Sequence, residues 1–217
     1  MISRAMEDYL KAIYLLTRGT SKVTTSQIAG RMGCSAASVT NMLQKLANLK
    51  LVSYRPYQGV TLTRSGSKIA LEVLRHHRLL ELYLQEVLGY SWDEVHEEAE
   101  RLEHVISEEL EERIARALGH PTHDPHGHPI PGPEGELPAE ASSLLWDADS
   151  GQRVKVSRVD DESPEVLRYL ASIGVLPRTE IRILRKAPFN GPIHIRVAGN
   201  EYTLSEQLAR QIHVTKT

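Results

Sequence analysis

The sequence predicts a mainly α N-terminal part, in which a winged helix-turn-helix continues into a helical domain, followed by a small β-barrel. Three observations lead there. Apolar residues recur at helical spacing through the first 50 positions, punctuated by capping residues and a glycine turn. A Pro- and Gly-dense stretch, residues 119–138, holds six of the 11 prolines and divides the chain. From Gln152 onward the pattern changes to short alternating runs separated by turn residues.

The elements follow in order. Residues 6–17 read as an amphipathic helix with Tyr9, Leu10, Ile13, Tyr14 and Leu16 on its apolar side. After a polar Gly-Thr-Ser loop, Thr24 or Thr25 can cap a short helix over 26–32, whose Ile28, Ala29 and Met32 face inward. Gly33 makes the turn. Ser35 then caps a third helix over 36–49, with Val39, Met42, Leu43 and Leu46 toward the core. Two strand-like runs, 51–55 and 60–63, surround Pro56-Tyr57-Gln58-Gly59 and read as a hairpin wing, and Thr63 can cap a helix starting near Arg64. Further on, residues 93–116 read as one helix. Past the Pro-rich stretch, 152–159 and 179–185 alternate like strands around a helix over 164–173 that ends at Gly174. Residues 194–197 and 201–204 form a hairpin around Ala198-Gly199-Asn200, and 212–215 could close the sheet.

Composition excludes several classes. With 217 residues, 41% of them hydrophobic and 25% charged, the chain can bury one good core or build two compact domains. The N-terminus lacks the apolar core and cleavage site of a signal peptide, and no run approaches the ~18 apolar residues of a membrane span. A cytoplasmic protein with no membrane partner follows. The single cysteine, Cys34, excludes an internal disulfide framework and a Cys-rich zinc ribbon.

The net charge of -2 hides an asymmetry. Residues 1–68 carry ten Lys and Arg against Glu7 and Asp8, a net of +8, which leaves -10 for the remainder. A basic first third is the footprint of a domain that meets a polyanion, because Lys and Arg release counterions from phosphate. Charge and topology together point to double-stranded DNA. Small polar side chains let the third helix lie close to base edges, so Ser35, Ala37, Ser38, Thr40, Asn41 and Lys45 are the candidate contacts there, with Asn41 suited to adenine. Arg55 on the wing and Arg64 after it are further candidate DNA contacts.

The expected helix over 93–116 carries a second signal. At 3.6 residues per turn, His96, Glu100, Glu103 and His104 fall within about 100° of arc, so two imidazoles and two carboxylates share a face. Two more ligand-type clusters lie upstream, Glu7-Asp8 and His76-His77 with Glu81. The same helix shows ordinary i, i+4 charge pairs, which alone would favour a solvated surface. A metal-dependent hydrolase lacks support: there is no His-Glu-x-x-His pair, no nucleophile elbow and no Gly-rich phosphate loop, so neither an enzyme nor an organic substrate is expected. His120, His123, His126 and His128 in the Pro-rich stretch are expected to decorate a solvent-exposed turn rather than form a third metal site.

From Met6-Glu7-Asp8-Tyr9 through the helix-turn-helix and wing to the His77–Glu81 cluster, His96 to His104 and the loop Pro129-Ile130-Pro131-Gly132, the chain resembles the diphtheria toxin repressor family of metal-dependent transcription regulators over its whole length. The resemblance implies a homodimer on palindromic operator DNA. It also implies three domains: a winged helix-turn-helix (1–68), a helical metal-binding and dimerisation domain with its linker (69–138), and an SH3-like β-barrel (148–217) similar to that of ferrous-transport accessory proteins. Manganese-type members begin Met-Glu-Asp-Tyr, as here, whereas iron-type members place methionine at the position of Asp8 and cysteine at that of Glu100.

Two metal sites follow from the resemblance. Asp8, Glu100, Glu103 and His104 match the regulatory site. His77, Glu81 and His96 match the ancillary site, whose coordination in the longer members is completed from the C-terminal domain, here by Glu162 and Glu165. Short manganese regulators carry glutamate where this chain has Lys11, so a manganese-type first site combined with an iron-type second site is implied. Ligand chemistry independently favours Mn²⁺, since carboxylates in place of thioether and thiolate make a hard site. Fe²⁺ is the alternative metal, and Zn²⁺, Co²⁺ or Cd²⁺ can substitute in a test tube. The function expected is a manganese-responsive repressor of metal-uptake genes, with an iron-responsive regulator and a metal-independent winged-helix regulator as the alternatives.

Overall fold

The computed structural model describes residues 2–17, 22–56, 58–138, 141–160 and 163–216. The chain divides into two compact units. The first comprises Met1–His77, Leu102–Glu108 and Pro131–Leu137, and the second Arg78–Arg101, Glu109–Ile130 and Pro138–Thr217.

In the first unit, α1 (Arg4–Thr17) starts two residues before the apolar periodicity does, because the Ser3 carbonyl accepts from the amides of Met6 and Glu7. α2 (Thr25–Met32) opens with a reciprocal cap: the Thr24 hydroxyl accepts from the Gln27 amide at 3.2 Å, and the Gln27 side chain accepts from the Thr24 amide at 2.8 Å. Gly33, at φ 59°, ends it in the left-handed conformation that glycine adopts without steric cost. The Ser35 hydroxyl accepts from the Ser38 amide and starts α3 (Ala36–Asn48). The wing is β1 (Val52–Arg55) paired antiparallel with β2 (Gly59–Leu62), Val52 opposite Leu62. Val23 joins the wing through two backbone hydrogen bonds to Val60. Leu10, Ile13, Val23, Ile28, Val39, Leu43, Leu46 and Val60 fill the core beneath. The expected Gly-Thr-Ser loop and Tyr57 of the wing turn lie outside the described residues.

α4 (Arg64–Glu86) begins where Thr63 accepts from the Gly66 amide and donates to the Lys50 carbonyl. Gly66 is required there, since a Cβ would stand 2.0 Å from the Leu51 carbonyl oxygen. The residues of α4 from Arg78 on belong to the second unit.

The single helix expected over 93–116 is two, α5 (Val95–Leu102) and α6 (Glu108–Ala117). The chain leaves the helix in a tight turn closed by the Val105 amide on the Leu102 carbonyl. The β-branched Val105 and Ile106 favour helix only weakly. More decisive, the turn is anchored within the first unit: the His76 ring meets the Glu103 carbonyl at 3.0 Å, and Lys11 and His77 hold the Glu103 carboxylate. Side-chain demands of two adjacent residues thus override a local helical pattern. The i, i+4 pairs read from the sequence are present at 3.8 Å (Glu97 and Arg101), 2.7 Å (Glu109 and Arg113) and 3.2 Å (Glu112 and Arg116).

The C-terminal part of the second unit is a six-stranded antiparallel sheet. Its strands are β3 (Ser143–Leu144), β4 (Arg153–Val159), β5 (Glu180–Lys186), β6 (Ile193–Val197), β7 (Asn200–Leu204) and β8 (Ile212–Lys216), in the order β3-β8-β4-β5-β6-β7. Register shifts at Val156/Arg158 and Ile183/Arg185 let so small a sheet coil. α7 (Pro164–Ser172) and the one-turn α8 (Glu206–Ala209) pack on a core containing Trp146, Val154, Leu167, Leu170, Ile183 and Ile195. Among the described residues, no helix is long and apolar enough to cross a membrane.

Candidate metal centre and DNA-facing surface

The first unit brings Asp8, Glu103 and His104 together. Asp8 comes from the first turns of α1, and the other two from the turn after α5. His104 Nδ1 lies 2.7 Å from Glu7 Oε2, which fixes a proton on that nitrogen and turns the Nε2 lone pair inward. Nε2 lies 2.7 Å from Asp8 Oδ1 and 3.2 Å from Glu103 Oε1, yet it is buried and makes no hydrogen bond. Two carboxylate oxygens and an imidazole nitrogen therefore converge with acceptors facing acceptors. Such an arrangement is unfavourable without a cation and fits a divalent metal, with Glu7 orienting the histidine from behind. Glu100, expected in the same site, lies on α5 with Oε1 4.0 Å from His96 Nε2.

A second constellation lies within the second unit. Glu81 on α4 meets His96 Nδ1 at 3.2 Å through one oxygen, and His126 Nδ1 stands 3.8 Å from the other. His77, one turn before Glu81, directs Nδ1 to Glu103 at 2.5 Å. The expectation that all four histidines decorate a solvent-exposed turn holds for His120 and is corrected for the rest of the loop: Asp124 and His126 are buried and His123 and His128 half-buried. Three features hold the loop inward. Asp124 Oδ1 accepts from the amides of His126 and His128, the Trp92 indole donates to the Pro125 carbonyl, and the Val159 amide of β4 donates to the His126 carbonyl. Asp124, His126 and His128 themselves offer a ligand-type cluster. Glu165 is exposed in the first turn of α7 and accepts from the Ser163 hydroxyl, while Glu162 lies outside the described residues. The acidic residue from this segment that reaches the histidine loop is Asp160, 2.9 Å from His128 Nε2.

Asp160 is the hub of a charged network. Burial disfavours its carboxylate, but hydrogen bonds from His128, His213 and Arg158 outweigh that and hold its pKa far below the usual range. Burial likewise opposes the His128 imidazolium, and the charges and hydrogen bonds of Asp124 and Asp160 overcome it, raising the pKa to about 9. His128 therefore stabilises the metal-free fold fully below its unfolded value of 6.5, and that contribution disappears as pH rises through about 9. The Asp160 contribution has the opposite sign: it is present above 3.8 and lost as pH falls. In chelator, calorimetry should find the second unit most stable between about pH 5 and 6.5, and His128→Gln should flatten its alkaline decline.

The DNA-facing candidates lie on one small domain. Ser35, Ala37, Ser38, Asn41, Lys45, Arg55 and Arg64 are exposed and Thr40 half-buried. Ser35 and Thr40 also have structural duties, the first as the α3 cap and the second donating to the Ala36 carbonyl. Beside the wing, Lys22, Ser53, Arg55, Gln58, Gly59 and Thr61 line a polar cleft of about 170 Å³.

A winged helix-turn-helix joined to a cation-shaped cluster of carboxylates and histidines defines a metal-dependent DNA-binding regulator. Residues 1–60 match the family model described as the iron dependent repressor N-terminal DNA binding domain, and 63–132 that of the iron dependent repressor metal binding and dimerisation domain. Residues 144–216 match the FeoA domain. The chain is 31% identical over 223 residues to the iron-dependent repressor IdeR of Mycobacterium leprae (strain TN), covering 97% of this chain and 96% of that one. The fold is similar to a manganese-dependent transcriptional repressor in complex with manganese, at 41% identity, a TM-score of 0.92, and coverage of 98% of this chain and 100% of that one. It is also similar to ScaR with bound Cd²⁺, at 36% identity, a TM-score of 0.84, and coverage of 98% and 99%. The chain belongs to the diphtheria toxin repressor family of metal-dependent transcriptional repressors.

Proposed function

We propose that this protein is a manganese(II)-responsive repressor of metal-uptake genes, acting in the cytoplasm as a homodimer on palindromic operator DNA. The observation that carries the reading is the unsatisfied His104 Nε2, buried between the oxygens of Asp8 and Glu103. Two carboxylates and an imidazole make a hard donor set of the kind that suits Mn²⁺. A divalent cation there supplies the positive charge that the converging acceptors need. The protein groups do the rest: Asp8 fixes α1, Glu103 and His104 fix the turn after α5, and Glu7 holds the imidazole in the competent tautomer. α1 packs on α2 and α2 on α3, so the recognition helix follows α1 once Asp8 is set. In a dimer this would space two recognition helices about 34 Å apart for successive major grooves, with 69–138 as the dimerising region. A second centre is proposed on Glu81, His96 and His126, with His77 nearby on α4. By linkage, operator DNA should tighten metal binding by the factor that metal tightens DNA binding.

An iron(II)-responsive regulator is the second reading, supported by the iron-dependent relative from M. leprae. His104→Ala is expected to remove one Mn²⁺ per chain, counted by electron paramagnetic resonance, and to abolish Mn²⁺-dependent operator binding while leaving residual non-specific affinity. An unchanged Mn²⁺ count would contradict the site, and tighter, more effective activation by Fe²⁺ than by Mn²⁺ under anaerobic conditions would favour the iron reading.

A further inference from the structure

Lys11 is a buried cation on α1. Its side chain is 9% exposed, and its ammonium lies 2.7 and 2.9 Å from the two oxygens of Glu103, whose side chain is completely buried. A carboxylate so placed needs a permanent cation if it is to remain charged and aimed. The other groups facing it are His77 Nδ1 at 2.5 Å, on the oxygen turned away from the centre, and His104 Nε2 at 3.2 Å, on the oxygen turned toward it. The ammonium and the His104 nitrogen therefore share Glu103 Oε1. Glu103 Oε1 thus stands between the Lys11 ammonium and His104 Nε2, and the same nitrogen meets Asp8 Oδ1 at 2.7 Å.

We propose that Lys11 is the positioning residue of the metal centre: by bonding both oxygens of Glu103 it holds that carboxylate aimed at the Asp8 and His104 cluster, so that the cluster is preformed. Lys11 is not a ligand, since an ammonium has no lone pair to offer. The inference rests on the reading of Asp8, Glu103 and His104 as a divalent-metal site.

A structural ion pair and a positioning ion pair differ in what metal does for the mutant. In Lys11→Met the buried Glu103 loses the ammonium and keeps His77 on its other oxygen, and a bound divalent ion would replace the lost charge on the side of the centre. The melting temperature in chelator should fall by ~5 °C or more relative to wild type, and saturating Mn²⁺ should restore it to within about 1 °C of Mn²⁺-loaded wild type. Lys11→Arg, which keeps a cation on Glu103, should behave as wild type in both conditions. If Lys11→Met does not fold in chelator, refolding on addition of Mn²⁺, followed by circular dichroism, reads the same effect. Equal destabilisation with and without Mn²⁺ would overturn the positioning role alone. Failure of Mn²⁺ to raise the melting temperature of wild type above that of His104→Ala would instead remove the metal site itself, and this inference with it.

Discussion

Glu103→Ala should produce the largest loss of function together with the largest loss of stability. The substitution removes one oxygen from the centre and strands the buried ammonium of Lys11, 2.7 Å from the carboxylate that is lost. Breaking a buried pair on one side costs on the order of 3–5 kcal/mol, roughly 10 °C in melting temperature for a chain of this size. The turn over 102–108 also loses its hold on α1, so Mn²⁺-dependent operator affinity should fall to the level seen in chelator. Glu103→Gln separates the two effects. The amide oxygen still accepts from Lys11, so part of the stability should return, whereas the neutral group gives Mn²⁺ a poor ligand and regulation should stay lost. Thermal melts and fluorescence anisotropy on operator DNA, each with and without Mn²⁺, distinguish these outcomes; a Glu103→Gln variant with normal Mn²⁺ response would contradict the assignment.

Gly127→Ala is the second large effect, and it strikes the histidine loop. Gly127 has φ 89°, and a Cβ there would stand 2.0 Å from the Ser157 carbonyl oxygen and 2.8 Å from Arg158 Cα, both main-chain atoms of β4. Neither the left-handed backbone nor the collision can be relieved by a side-chain rotation, so the loop must lift from the sheet. Overpacking and backbone strain each cost ~1–3 kcal/mol. His126, whose carbonyl accepts from Val159, would move with it, as would the contact between His128 and Asp160. A drop of ~5 °C or more in the melting of the second unit is expected, with the first unit unaffected. Mn²⁺ binding should lose its contribution from Glu81, His96 and His126, while the Asp8 centre keeps its ion. A melting profile identical to wild type would show that the loop is not held as described.

The local grammar of the first unit was legible in the sequence because its signals are local. Thr24, Gly33 and Ser35 act on backbone groups within four residues, and the wing is defined by two runs and a turn. The long helix over 93–116 failed for the opposite reason. His76, Lys11 and His77 reach Glu103 from sequence separations of 26 residues or more, and no periodicity within the segment records them. His126 was missed because burial of a Pro-rich loop depends on Trp92 and on the β4 backbone, far away in sequence. β3 has two residues and α8 four, both below the length at which a pattern can repeat. Asp8, Glu103 and His104 could be named from the family resemblance, whereas the role of Glu7 behind His104 needed the distance between them.

The most direct test of the account is a pull-down of sheared genomic DNA by the purified full chain, run in parallel with Mn²⁺ and with chelator, and sequenced. Enrichment of a shared palindrome upstream of metal-uptake genes is expected with Mn²⁺, and its disappearance in chelator. Equal enrichment of the same sequences in both conditions would contradict the metal switch.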